Sequence, residues 1–139
     1  MASATETAEL LLLNYLLTTE TVTRPTTWYI GLHTGDPGEL GTANELTIGS
    51  NAYARTAVTF NAADNPSTGI CFVDNSADVT FPTASGGAWG TISHISVWKD
   101  QTSPLSENVL VKGALTASKT VSDGDTFQIQ AGNLVITLD

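Results

Sequence analysis

Apolar residues follow two different patterns along the chain. Near the start they crowd together: Leu10, Leu11, Leu12, Leu13, Tyr15, Leu16 and Leu17 run almost unbroken, with Asn14 as the only interruption. Helical spacing puts Leu10, Leu13, Leu16 and Leu17 on one face, and Leu11, Leu12 and Tyr15 widen the arc. Ser3 with Glu6 three positions later matches a capping box, and Glu9 lies near the positive end of the dipole. The pattern predicts one α-helix over residues 3–18. A helix this apolar either packs into its own domain or docks on another chain. Residues 18–27, rich in Thr and holding Arg24-Pro25, read as an extended connector, because β-branched residues and Pro discourage helix.

From Trp28 onward the pattern changes to alternation. Trp28, Ile30 and Leu32 share one face of a strand, Tyr29 and His33 the other, and Gly31 leaves a gap on that second face where a backbone or ring can approach closely. The strand stops at Thr34-Gly35-Asp36-Pro37-Gly38, and a long loop over residues 35–51 follows, a length that usually marks a functional or interaction surface. Further strands are predicted at Tyr53–Phe60, Gly69–Asp74, Ala77–Phe81 and Trp89–Trp98. Another, Val109–Leu115, is interrupted by Gly113. Thr120-Val121 and Thr126–Gln130 flank Ser122-Asp123-Gly124-Asp125, which reads as a hairpin turn, and Leu134–Leu138 closes the chain after a Gly132-Asn133 turn. About eight strands with frequent turns and no intervening helix predict a mainly β protein. The expected architecture is a single antiparallel, jelly-roll-like β-sandwich over residues 28–139 with one N-terminal helix, all in one domain, 1–139.

Composition sharpens this picture. Only 14% of the 139 residues are charged, and Thr, Ser, Gly, Ala and Asn fill the difference, which suits a sandwich with small neutral loops. The net charge of −9, from five basic and fourteen acidic residues, argues against nucleic acid and against anionic membrane surfaces as partners. No stretch reaches the roughly 18 apolar residues of a membrane span. The start of the chain lacks the basic residues of a secretory signal, so synthesis without export is expected. Cys71 stands alone, so no internal disulfide forms, and its place in Ile70-Cys71-Phe72-Val73 predicts a buried thiol.

Candidate chemistry is sparse. His33 and His94 are the only histidines, and no Gly-x-Ser-x-Gly turn offers a nucleophile beside either one. His94, mid-strand, reads as a structural histidine, and His33, at a strand end, is better placed for chemistry. A metal held by His33, His94 and Cys71 would require three distant positions to meet without any ligand spacing to support it. Asp123-Gly124-Asp125 is a fragment of a calcium loop without its remaining ligands. Asp36, Glu39 and Glu45 form a loop carboxylate group that can either gather round a cation or stay solvated. Arg55 either pairs with Asp36, Glu39 or Glu45 or lies solvated on an edge strand. Phosphate-binding glycine motifs are absent. The expectation is no catalytic residue, no cofactor and no metal.

The order of motifs resembles a family of small structural proteins of tailed bacteriophages. The residues that carry the resemblance are the Leu-rich helix, Trp28-Tyr29-Ile30-Gly31-Leu32-His33-Thr34-Gly35-Asp36-Pro37, Tyr53–Phe60, Val79-Thr80-Phe81-Pro82, Trp89–His94, Gly113-Ala114-Leu115, Lys119-Thr120-Val121, Gly124-Asp125-Thr126 and Leu134–Asp139. Members are described as tail-fibre-like, and similar small β proteins serve as capsid decoration or cement proteins. The resemblance implies a virion protein with no catalytic residues. Its expected partners are the major capsid protein or tail proteins, and itself as a dimer or trimer. Small size and the lack of a repetitive shaft put capsid decoration first and a tail-fibre or tail-tip role second. A glycan-binding module, with Tyr29, Tyr53 and Trp98 as candidate stacking rings, is the alternative of another class.

Overall fold

The centre of the molecule is the pairing of β2 (Trp28–His33) with β6 (Gly90–Trp98), antiparallel in a register that sets Ile30 opposite Val97, Leu32 opposite Ile95 and His33 opposite His94. The computed structural model describes residues 2–65 and 69–138. β3 (Thr56–Val58) lies on the outer edge of β2, β7 (Val109–Val121) lies on the other side of β6, and β1 (Ala2–Ala4) adds to β7, giving a five-stranded antiparallel sheet in the order β1-β7-β6-β2-β3. Two antiparallel ribbons face it: β4 (Cys71–Asp74) with β9 (Val135–Leu138), and β5 (Val79–Thr80) with β8 (Gln128–Ile129). The protein is a mainly β sandwich with one helix, α1 (Glu6–Leu17). Its core joins Ile30, Leu32, Ile92, Ile95 and Val97 of the sheet to Val79, Phe81, Phe127 and Leu134 of the opposite layer. Tyr53, Trp89, Phe81 and Phe127 form a chain of edge-to-face contacts at centroid distances of 5.5, 6.5 and 5.6 Å, the geometry that aromatic quadrupoles favour.

Several expectations shift. The helix begins later than residue 3, because Ser3 belongs to β1, opposite Lys112. Thr5 is the N-cap instead: its Oγ1 accepts from the Ala8 N–H at 3.5 Å and donates to the Val109 carbonyl at 2.5 Å. Gly113 does not interrupt its strand. It lets β1 close in, since a Cβ at that position would lie 2.8 Å from the Ala2 Cα, so β7 runs unbroken over 13 residues. The Tyr53–Phe60 strand shrinks to three residues, because Tyr53 is drawn inward after a short 3-10 turn (Ser50–Ala52). The Asp123-Gly124 turn is tight, with Gly124 at φ 90° and the Asp125 N–H on the Ser122 carbonyl at 3.0 Å. It is not a hairpin, however: β7 before it pairs with β6, and β8 after it pairs with β5 in the other layer. Cys71 is exposed rather than buried, because it lies at the outer end of the β4–β9 ribbon, opposite Leu138. In β6 a strict alternation would put Ile92 with His94 and Ser96. A register shift between Ile92 and His94, two residues of β6 against five of β7, breaks the ladder there, and Ile92 joins Ile95 and Val97 in the core.

Candidate functional site

The second face of β2, away from the hydrophobic core, carries a buried polar network. Antiparallel pairing brings His33 of β2 beside Ser96 and Trp98 of β6. His33 Nε2 and the Ser96 Oγ are 2.6 Å apart, and Trp98 Nε1–H donates to the same Ser96 oxygen at 2.6 Å. His33 Nδ1 lies 2.7 Å from the Ala43 carbonyl. That carbonyl can only accept, so Nδ1 carries the proton and Nε2 accepts from the Ser96 hydroxyl. Burial is the main cause that depresses the His33 pKa below its usual value, against the opposing pull of the Ala43 carbonyl, so the ring is neutral at pH 7.

The long loop returns to this network. Its end runs beside β2, with Glu45 bridged to His33 and the Leu46 N–H donating to the Leu32 carbonyl at 3.0 Å. The Glu45 carboxylate takes both arms of the Arg55 guanidinium, Nε and Nη2, at 2.7 Å each. Arg55 Nη1 donates to the carbonyls of Ser103 and Asp100 at 2.8 and 3.2 Å, tying a second loop to the first. Tyr53 donates its hydroxyl to Glu45 at 3.0 Å and accepts from the Leu32 N–H at 2.9 Å. Burial and the Glu45 charge raise the pKa of that phenol far above its ordinary range. Gly31 lies at the middle. A Cβ there would come within 2.8 Å of Trp98 Nε1 and 2.9 Å of both the Glu45 carboxylate and Ser96 Oγ. The gap predicted at Gly31 is therefore filled by an indole ring and a carboxylate.

This geometry determines what the network does. A Ser-His pair at hydrogen-bond distance has the outline of an activated nucleophile. Here the Ser96 proton is held by His33, its lone pair holds Trp98, and Ser96 and His33 are each 0% exposed. Every buried side-chain nitrogen and oxygen of the cluster has a hydrogen-bond partner, and the arrangement fixes two loops against the sheet.

The other sequence candidates scatter. Of the three loop carboxylates, Glu45 is bound to Arg55, which is buried and not solvated; Asp36 accepts from the Gly38 N–H at 2.9 Å; and Glu39 points to solvent. His94 faces His33 in register and meets Ser93 at 2.8 Å, while Cys71 lies on the β4–β9 ribbon. Among the described residues no group of three or more His, Cys, Asp and Glu gathers to hold a metal. Tyr53 and Trp98 are 1% and 0% exposed, so neither offers a stacking face to a sugar. Asn75 lies inside a short polar spacer, Asp74-Asn75-Ser76, where nothing in the sequence marks it. It is fully buried, donates to the carbonyls of Ala77 and Gln130 at 2.8 and 3.0 Å, and accepts from the Leu134 N–H at 2.9 Å. It thereby joins the turn after β4 to the turn before β9.

The surface is where the molecule leaves something unfinished. None of the side chains of α1 is buried. Leu10, Leu13, Leu16 and Leu17, the predicted apolar face, are 61, 54, 63 and 77% exposed, and Tyr15 is 73% exposed. The helix is held at its base by β1 and Thr5, and all its leucines except the half-buried Leu11 are exposed. At 12 residues it falls well short of the ~20 needed to cross a bilayer.

A family model described as Podophage GP4 fiber I protein gp80 matches residues 3–137. Among curated proteins none matches the chain.

Proposed function

The chain belongs to the podophage GP4 fiber I protein gp80 family and is a phage virion structural protein, and from that premise we propose that it is a subunit of the tail-fibre apparatus. The match over residues 3–137, nearly the whole chain, carries the reading. Two structural features support it. The buried polar network closes on itself and stiffens loops, as a structural part requires, and α1 presents a bare apolar surface of the kind that marks a contact with another chain. The helix is shorter than two heptads, and the sequence carries no internal repeat, so the chain suits a terminal or collar piece better than a shaft.

Capsid decoration, placed first by the small size and the missing shaft, is the second reading. The same experiment separates the two: gold-labelled antibody against the protein, or cryo-electron microscopy of whole virions. A few copies at the tail are expected. Hundreds of copies spread over the shell would overturn the fibre reading in favour of decoration.

A further inference from the structure

We propose that α1 is covered by a second copy of this chain, whose own α1 lies in the groove between helix and body. This rests on the reading of the protein as an assembling virion part and names the partner of its apolar helix.

The first argument is area. Leu10, Leu12, Leu13, Tyr15, Leu16 and Leu17 are each 48–77% exposed. Together they leave on the order of 600–700 Å² of residue surface uncovered around the helix, at or above the largest patch of ordinary monomers. The second argument is shape. Beside the helix runs an open groove of about 460 Å³, with Leu11, Leu12 and Tyr15 on one wall and Pro25, Trp28 and Leu110 on the other. A second helix placed there touches both walls.

The third argument is charge. With a net charge of −9, two copies repel across most of their surfaces. Residues 10–19 carry no Asp, Glu, Lys or Arg, so this is a place where two copies approach without that penalty. Arg24 also lines the groove and would meet an incoming helix that carries Glu6 and Glu9. The helix is thus both ligand and receptor for itself, and repeating the contact closes a reciprocal pair or a small ring.

The test is the mass of the purified full-length chain by light scattering at micromolar concentration, for the wild type and for L12E/Y15E, two exposed residues of the groove wall. The wild type is expected at an integer multiple, two or more, of the 14.5 kDa chain mass. The double variant is expected at the single-chain mass with an unchanged β-sheet circular dichroism spectrum, because its sites are exposed. If it fails to fold, Y15E alone, 73% exposed and on the groove wall, serves instead. A wild type at single-chain mass overturns the proposal, as does a folded charge variant that keeps the wild-type mass. The measurement involves no virion, so the self-contact and the fibre assignment can fail separately.

Discussion

The guanidinium carbon of Arg55 lies 3.2 Å from the centre of the Trp98 ring, with the guanidinium fork on Glu45. A planar cation can stack and fork at once, and an ammonium cannot. The ion pair is almost dry, with side-chain exposures of 1% and 11%, so removing either partner leaves an uncompensated buried charge. Glu45→Ala or Arg55→Ala is expected to cost about 3–5 kcal/mol. Arg55→Lys keeps the charge but loses the stack and the grip on the Ser103 carbonyl, and is expected to cost about 2–3 kcal/mol by the loss of charged hydrogen bonds. Urea unfolding at pH 7 measures all three. A lysine variant as stable as the wild type would show that the stack and fork contribute nothing.

Gly31 tests the same cluster by volume. Its backbone is ordinary strand, so alanine is conformationally acceptable there. The cost is steric, with three polar atoms inside 3.0 Å of the new methyl. The nearest two belong to groups already fixed, the indole of Trp98 by Ser96 and Arg55, and the carboxylate of Glu45 by Arg55 and Tyr53. Gly31→Ala should therefore destabilise by about 2–3 kcal/mol, the upper part of the range for overpacking, and thermal unfolding would read this as a fall of several degrees. Gly49→Ala, with nothing within 4 Å, is the control for crowding, although its φ of 84° adds a backbone cost.

The sequence was readable where one element's own pattern decides its fate. Alternation in Trp28–His33 placed Ile30 and Leu32 in the core and His33 on the other face, and the gap at Gly31 was visible as a missing side chain. The group around Arg55 was legible as a set of candidate partners, from which the fold selects Glu45. What stayed hidden depends on contacts between distant segments. His33 and Ser96 meet only because β2 and β6 are neighbours, and no spacing along the chain encodes that choice. The register shift after Ile92 accompanies a change in which face a residue occupies, and a strict period of two has no means of showing it. Ser3 matched a capping box, yet the tertiary pairing of β1 with β7 outweighs that local preference and passes the cap to Thr5. The Cys71 segment is apolar, but the edge ribbon it enters has little to cover its outer end.

His33 gives the fold a pH dependence with a definite sign. Its folded pKa is depressed, chiefly by burial, so in the window below ~6.5 the unfolded chain binds the proton and the folded chain resists it. Stability from this group is complete above pH ~6.5 and is lost as pH falls toward the folded pKa, at up to ~1.4 kcal/mol per pH unit. Protonation also puts a donor on Nε2 opposite a hydroxyl oxygen already engaged by Trp98. Urea midpoints at intervals between pH 7.5 and about pH 5 should fall for the wild type, and fall less for His33→Gln, which starts from lower stability. Parallel profiles for the two proteins would remove His33 as the source.

The leading strand is attached by a few short contacts that can be released without touching the core. Ala2 packs against the bare backbone of Gly113, and the Thr5 N–H donates to the Leu110 carbonyl at 3.1 Å. In Gly113→Ala the new methyl meets a backbone atom of Ala2 at 2.8 Å, which cannot rotate aside, so β1 must lift. Thr5→Val removes the hydroxyl that caps α1 and binds the Val109 carbonyl while keeping the shape of the side chain. Both changes are expected to open the segment locally, by about 1–2 kcal/mol for a lost cap or contact. Hydrogen exchange at the Thr5 amide should then quicken by roughly tenfold or more, with little change in the exchange of Ile30 and Val97 in the central strands. Equal acceleration at all three amides would mean that the segment is part of the cooperative core, and that α1 is held more firmly than its exposed leucines imply.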